Sequence, residues 1–298
     1  MGVALRAVRA VFLASFLAAA LAGCAKPVSV TDDVGSLALQ YRDPVQTSSA
    51  RAVSATQLDQ AVPKRIFSNG SLPGRTLEVA TTSDIILRPG EVILTFDDGP
   101  RAGKTPAILD TLDQYGVKAT FLMLGSAAKA NPRLAQQVAQ RGHTIGSHTY
   151  DHVDLSKLDR QAALAEIARG EAAVADALGG AGQGLAPFFR FPYLAQTGFL
   201  RTTMLSGDMV VLDVDIDSKD YYKDSASVVA GRTLSRLEAR GSGIILFHDI
   251  HQRTVDMLPA FLAELEARGY SVVNLVPKNS VFGRSVITAG NPETRSEF

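Results

Sequence analysis

Asp97 and Asp98 stand side by side, with Gly99 and Pro100 directly after them. His148 and His152 are four residues apart in Ser147-His148-Thr149-Tyr150-Asp151-His152. One helical turn or a tight loop at that spacing puts two imidazoles on the same side, as a metal ion requires. Asp98 would add an oxygen ligand. Two histidines and one carboxylate leave coordination positions open, which suits a catalytic Zn²⁺ or a similar divalent ion rather than a closed structural site. Each group also has a plainer reading. A histidine pair at this spacing arises by chance, and adjacent aspartates commonly start a helix. His248, behind the apolar run Ile244-Ile245-Leu246-Phe247, could be a satisfied core group. The Gly-Pro pair favours a turn that holds both carboxylates near the end of a strand. Arg190, in Arg190-Phe191-Pro192-Tyr193, is either a surface strand end or the cation that orients a carboxylate. His143 enters a strand after Gly142 and fits a core position better, and His251 carries no assignment.

These groups need elements to carry them. The hydrophobic pattern predicts strands at Glu91–Phe96, Lys118–Leu124, Thr144–Ser147, Phe188–Phe191, Met209–Val214, Gly243–Phe247 and Ser271–Leu275. Helices are predicted at Lys104–Tyr115, Pro132–Arg141, Arg160–Leu178, Ala226–Arg240 and Thr254–Arg268. Gly116, Gly142, Gly241 and Gly269 follow four of them, which matches helix stop chemistry. Strands alternating with helices imply an α/β fold with a largely parallel sheet. Seven such strands suggest an incomplete, barrel-like sheet, with an open doubly wound sheet as the alternative. Asp97 and Asp98, His148, Arg190, Asp217 and Asp220, and His248 all fall at strand ends. In a βα barrel that rim is where active sites gather.

The whole chain has 298 residues, 46% apolar and 20% charged, ordinary for a protein with a core. Lys+Arg and Asp+Glu are 30 each, which argues against a nucleic-acid binder driven by bulk positive charge. Cys24 is the single cysteine, so neither an intrachain disulfide nor a Cys-based zinc site can form. Residues 1–23 read as an export signal: Arg6 and Arg9, then the uncharged apolar run Val11–Leu21. That run is shorter than the ~20 apolar residues a membrane span needs. It ends Leu21-Ala22-Gly23-Cys24, which resembles a bacterial lipobox, with ordinary signal cleavage nearby as the alternative. A lipidated Cys24 implies an exported protein anchored to the bacterial cell envelope, facing the periplasm or the cell surface. Each buried acyl CH₂ contributes ~0.8 kcal/mol to such an anchor. Residues 24–85, rich in Ser, Thr, Ala and Gln, read as a flexible tether with a short strand near Arg75–Ala80. Residues 86–285 form the predicted domain and 286–298 a C-terminal tail. A serine-hydrolase reading finds no Gly-x-Ser-x-Gly elbow.

Five segments in order carry a resemblance: Thr95-Phe96-Asp97-Asp98-Gly99-Pro100, His148-Thr149-Tyr150-Asp151-His152, Arg190-Phe191-Pro192-Tyr193, Asp217-Ser218-Lys219-Asp220-Tyr221 and Leu246-Phe247-His248. They resemble the motifs of the polysaccharide deacetylase family, also called carbohydrate esterase family 4 or the NodB-homology domain. The resemblance spans about residues 88–280 and implies a distorted (β/α)7 barrel. Family members remove N-acetyl groups from GlcNAc-containing polymers or O-acetyl groups from xylan. By that likeness Asp98, His148 and His152 would bind the divalent metal, Zn²⁺ or alternatively Co²⁺. Asp97 would be the general base, held by Arg190. The backbone N–H of Tyr193 would help to hold the oxyanion, and Leu246 would line the acetyl pocket. His248 would protonate the leaving amine, with Asp220 orienting it. The family's fourth motif usually ends in Trp, where this chain has Tyr221 and no tryptophan anywhere. Tyr keeps an aromatic wall for a sugar but adds a hydroxyl and loses area. The expected function is a metal-dependent N-deacetylase of peptidoglycan, chitin oligosaccharide or poly-GlcNAc. The alternatives are an acetyl-xylan-type O-deacetylase and a non-catalytic glycan-binding envelope lipoprotein.

Overall fold

A computed structural model describes residues 71–278. The predicted signal segment, Cys24, most of the tether and the tail 286–298 lie outside the described residues. Nine strands are present among those residues: β1 Pro73–Val79, β2 Glu91–Asp97, β3 Thr120–Met123, β4 Thr144–Ser147, β5 Phe188–Phe189, β6 Val210–Val211, β7 Ile216–Asp217, β8 Gly243–His248 and β9 Ser271–Pro277. The helices are α1 Thr105–Gln114, α2 Gly125–Ala130, α3 Pro132–Gln140, α4 Arg160–Ala177, α5 Gly198–Ser206, α6 Ala226–Arg240 and α7 Gln252–Ala267. Every strand pair is parallel. Seven strands follow one path, β6-β5-β4-β3-β2-β8-β7, a nearly closed barrel with its seam between β6 and β7. The expected α/β barrel is thus the observed fold.

Its strand membership differs from expectation. The predicted Met209–Val214 strand shortens to β6, and after a gap of four residues the chain rejoins the barrel as β7, opposite β8. Ser271–Leu275, counted among the seven, lies outside that path and pairs with β1 and the start of β2. β1 also moves the start of the folded domain from residue 86 to about 72, where Leu72 is already buried. Arg75 fastens β1 to β2 by donating two hydrogen bonds to Glu91, at 2.9 and 3.0 Å. This strand is mostly exposed along its length, so its sequence lacks the apolar run that marks a buried strand.

Strand alternation decides which side chains face the barrel axis. In β2, Val92, Leu94 and Phe96 pack outward with Ile108 of α1 and Phe261 of α7, whereas Ile93 belongs to the inner cluster. Thr95 and Asp97 share the face of Ile93. In β8, Ile245 and Phe247 pack outward and Ile244 inward, so Leu246 and His248 also face the axis. In β5, Phe188 packs inward and Phe189 outward, and Arg190 follows on the inner face. Each chemistry-bearing side chain therefore stands above an apolar inner layer. Gly146, on the inner face of β4, cannot be larger: a Cβ there would lie 2.5 Å from the Phe188 carbonyl oxygen. Outside the barrel, Phe96 stacks on Phe121 and Phe247 at centroid distances of 5.1 and 5.8 Å. Such pairs are worth about 0.5–1.5 kcal/mol beyond their buried area and stiffen the strands that carry the site. His143 is a core group, as its position suggested. Its Nδ1 accepts from the Ala119 N–H at 3.2 Å, and burial pushes its pKa down to about 3.

Candidate active site

The strand-end residues meet in a cleft of about 400 Å³ at the C-terminal rim of the barrel. Register alone brings two of them together, because Asp97 and His248 are direct partners across β2 and β8. Past β2 the chain turns sharply. Asp98 takes a left-handed backbone with φ 78°, and the Gly99–Pro100 peptide is cis. The Asp98 N–H donates to the Leu122 carbonyl at 3.2 Å and the Leu124 N–H to the Gly99 carbonyl at 3.2 Å, so β3 holds this turn from the side.

Three side chains converge beside the turn. His148 Nε2 lies 3.6 Å and His152 Nε2 3.5 Å from Asp98 Oδ1. The Asp98 oxygen is buried and accepts no hydrogen bond. These separations are too long for hydrogen bonds. They match the ~3.3 Å between ligand atoms that each sit ~2.0–2.1 Å from one tetrahedral ion. His148 Nδ1 faces the Arg190 carbonyl at 2.8 Å. A carbonyl can only accept, so Nδ1 carries the proton and Nε2 keeps its lone pair for a cation. Burial pushes the His152 pKa down, outweighing the pull of Asp98, and so favours the neutral ligand form. The donor set fits a divalent cation, and it is the set expected from the sequence. Neither imidazole stands on a helix. The segment between them is a loop, with Thr149 at φ 69° and His152 at φ 56°.

Two acid–base pairs flank this set. Arg190, fully buried, donates from Nη1 to Asp97 Oδ1 at 2.7 Å and to the Thr95 hydroxyl at 2.8 Å, and from Nε to the Leu212 carbonyl at 3.0 Å. Asp97 is 2% exposed, and its second oxygen lies 3.7 Å from His148 Nε2. Across the cleft, His248 Nδ1 faces Asp220 Oδ1 at 2.7 Å. Asp220 Oδ2 accepts from the His248 backbone N–H at 2.8 Å and from the Thr254 hydroxyl at 2.6 Å. Burial alone would lower the His248 pKa. The hydrogen bond and charge of Asp220, with the charges of Asp98 and Asp97, overcome it and push the value up to about 9. Burial works against the Asp220 charge, but the bonds from His248 and Thr254 outweigh it and hold that carboxyl below its ordinary value.

The mouth of the cleft is aromatic. Tyr193 is 67% exposed, in a 3-10 turn where it and Leu194 have φ 58° and 56°, and its ring meets the edge of His152 at 4.5 Å. Tyr221 is half-exposed, packs edge-on against His248 at 5.6 Å and Tyr222 at 4.9 Å, and donates from its hydroxyl to Asp217 Oδ2 at 2.9 Å. Leu246 lines the floor, and His251, unassigned from sequence, lines the wall. Sequence reasoning missed three supporting residues. Thr95 bridges Arg190 and the Ile245 carbonyl. Thr254 anchors Asp220 from α7. Asp249 is fully buried behind the aspartate turn, accepts from the Thr105 hydroxyl at 2.5 Å, and has its pKa pushed up to about 7 by burial. A Cβ on Gly99 would lie 2.0 Å from the Asp249 carboxylate, so this aspartate is why residue 99 must be glycine. Its one sequence signal was a charged residue directly after an apolar strand.

Residues 86–207 match the sequence model described as polysaccharide deacetylase. A peptidoglycan-N-acetylglucosamine deacetylase of Listeria monocytogenes is 34% identical over 196 residues, 62% of this chain and 38% of that protein, so the match spans well under half of that relative. The solved peptidoglycan deacetylase of Bdellovibrio bacteriovorus superposes with a TM-score of 0.66 at 35% identity, over 73% of this chain and 63% of that one. A chitin deacetylase of Colletotrichum lindemuthianum is 32% identical over 217 residues, 68% of this chain and 85% of that protein. A relative matched over so much of its own length leaves no ambiguity of kinship, and the chain belongs to the polysaccharide deacetylase family.

Proposed function

We propose that this chain is a divalent-metal-dependent hydrolase that removes N-acetyl groups from GlcNAc-containing polysaccharide. One observation carries the reading: the buried, unpartnered Asp98 Oδ1 stands 3.5–3.6 Å from two histidine Nε2 atoms, between a separately held carboxylate and a separately held imidazolium. A cation held by Asp98, His148 and His152, Zn²⁺ or alternatively Co²⁺, would lower the pKa of a water and polarise the acetyl carbonyl.

The rest is the work of the chain's own groups. Asp97, fixed by Arg190, takes the proton from the attacking water as its oxygen bonds to the carbonyl carbon. The Tyr193 backbone N–H donates to the developing oxyanion. His248 gives its Nε2 proton to the leaving nitrogen as the C–N bond breaks, and Asp220 stabilises the imidazolium until then. The products are acetate and a free amine on the sugar. Leu246 receives the acetyl methyl, and Tyr221 offers an aromatic face to the sugar ring, smaller than the Trp usual in the family. The peptidoglycan- and chitin-directed names of the relatives favour an N-acetyl over a xylan O-acetyl substrate. Binding glycan without turnover would leave the Asp97–Arg190 and His248–Asp220 pairs without a task.

The purified protein should release acetate from GlcNAc oligomers or peptidoglycan. Thorough chelation should stop release, and added Zn²⁺ or Co²⁺ should restore it. Release that survives chelation would remove the metal from the reaction. Export and anchoring rest on Arg6, Arg9, the apolar run and the Leu21-Ala22-Gly23-Cys24 ending. In a bacterial host Cys24→Ser should move the protein out of the membrane fraction, and unchanged sedimentation with membranes would refute lipidation.

A further inference from the structure

The loop from His148 to His152 carries two proposed metal ligands, yet it is neither helix nor strand, and two of its non-glycine residues have left-handed backbones. Such a conformation costs free energy and persists only when the surroundings enforce it. The enforcement comes from two helices, neither of which carries a ligand. At the start of α2, the Gly125 and Ser126 N–H groups donate to the Thr149 and Tyr150 carbonyls at 2.8 and 3.1 Å, and the Ser126 hydroxyl adds a bond to the Tyr150 carbonyl at 2.7 Å. From α4, Glu166 Oε1 accepts from two of the loop N–H groups, Tyr150 at 3.1 Å and Asp151 at 2.6 Å. Glu166 is 8% exposed. Arg169 donates to Glu166 Oε2 at 2.9 Å and to Asp151 Oδ2 at 2.5 Å, and its guanidinium lies 3.9 Å from the centroid of the Tyr150 ring. Gly170, one position further, lets the α4 backbone meet the loop: a Cβ there would lie 2.3 Å from the Thr149 carbonyl carbon.

We propose that Glu166 is a positioning residue for the metal centre, setting the cation affinity of His148 and His152 by fixing the loop between them. This rests on the metal-centre reading above. The carboxylate neutralises two backbone donors that the left-handed loop cannot pair within itself, and charge-assisted bonds of this kind are about twice as strong as neutral ones. Without it, the loop relaxes and the two Nε2 atoms lose their common focus. Loss of the partners that orient metal ligands typically costs about 10–100-fold in affinity.

The test is Zn²⁺ binding by the full chain, read by competition with a chromophoric chelator, together with the melting temperature of the metal-free protein. Glu166→Ala should weaken binding by about 10–100-fold. Glu166→Gln keeps an acceptor oxygen and should recover most of that loss. If the Ala variant does not fold, Gln and Arg169→Leu supply the comparison, each expected to weaken binding by a smaller factor. A Glu166 variant that melts lower but binds Zn²⁺ as tightly as the native protein would overturn the proposal, since that is the result of a purely structural role. The His148→Ala protein separates the two levels. If native protein and His148→Ala bind Zn²⁺ equally weakly, the metal-centre reading itself fails. If only His148→Ala loses binding while the Glu166 variants keep it, the positioning role alone fails.

Discussion

Replacing Asp97 with Asn should lower acetate release by about 10²–10⁴-fold while Zn²⁺ binding stays within a few-fold of native. The carboxylate has what a general base needs. It is buried, it lies 3.7 Å from the nearest proposed ligand nitrogen, and Arg190 holds one of its oxygens at 2.7 Å, which leaves the other turned toward the cleft. Asn is nearly isosteric and keeps an acceptor for Arg190, so the barrel and the loop of ligands should persist. What it loses is the ability to take a proton. His148→Ala is the contrasting variant, expected to lose the cation and the activity together. Acetate release against metal content for both variants separates the two roles. An Asp97→Asn protein with near-native turnover would transfer the base to another group, and one that had lost its metal would make Asp97 a ligand.

The candidate site at the rim was legible because two simple regularities coincide there. Period-two alternation in β2 and β8 sends Thr95 and Asp97, and Leu246 and His248, to one face, and both strands are largely apolar, buried runs that end in an ionisable residue. The parts that escaped lack such a signal. β5, β6 and β7 are two residues each, too short to show a period, and β7 falls within what read as the loop carrying Asp217 and Asp220. α2 begins with Gly125 and spans six residues, fewer than two turns, so its sequence shows no stripe. Glu166 is instructive, because a trace of it was present. It lies on the buried face of α4 with Ala163, Ile167, Gly170 and Val174, and an acid on an apolar stripe needs a partner. Helical periodicity says that the partner exists, but not that it is a backbone segment 15–16 residues earlier in the chain. Only the packing of α4 on the histidine loop supplies that.

The second large effect concerns the proton delivered to the leaving nitrogen, and it is a matter of pH. His248 acts as an acid only while protonated, and with its pKa pushed up to about 9 it stays protonated through neutral pH. The alkaline fall of kcat/KM should therefore lie above the ordinary imidazole value of about 6.5, at or below pH 9, and mark this group. In a loaded site the charges of Asp97 and Asp98 are offset by the cation, so the elevation depends chiefly on Asp220. Its carboxylate accepts from His248 at both the ring and the backbone. Asp220→Asn keeps an acceptor for Nδ1 but removes the charge, and burial then drives the imidazole to or below its ordinary value of about 6.5. The sign is unambiguous: the variant loses the acid form as pH rises through its new, lower pKa. At pH 8 the protonated fraction would fall by up to ~30-fold, and toward pH 6 it would recover. His248→Ala, by contrast, should lose about 10²–10⁴-fold on the plateau below the alkaline limb, and should lack that limb. Full pH profiles of the native protein and both variants check this. An Asp220→Asn profile with its alkaline limb unmoved from the native position would show that something other than Asp220 holds the proton on His248, and a His248→Ala profile that keeps the native alkaline limb would place the acid elsewhere on the rim.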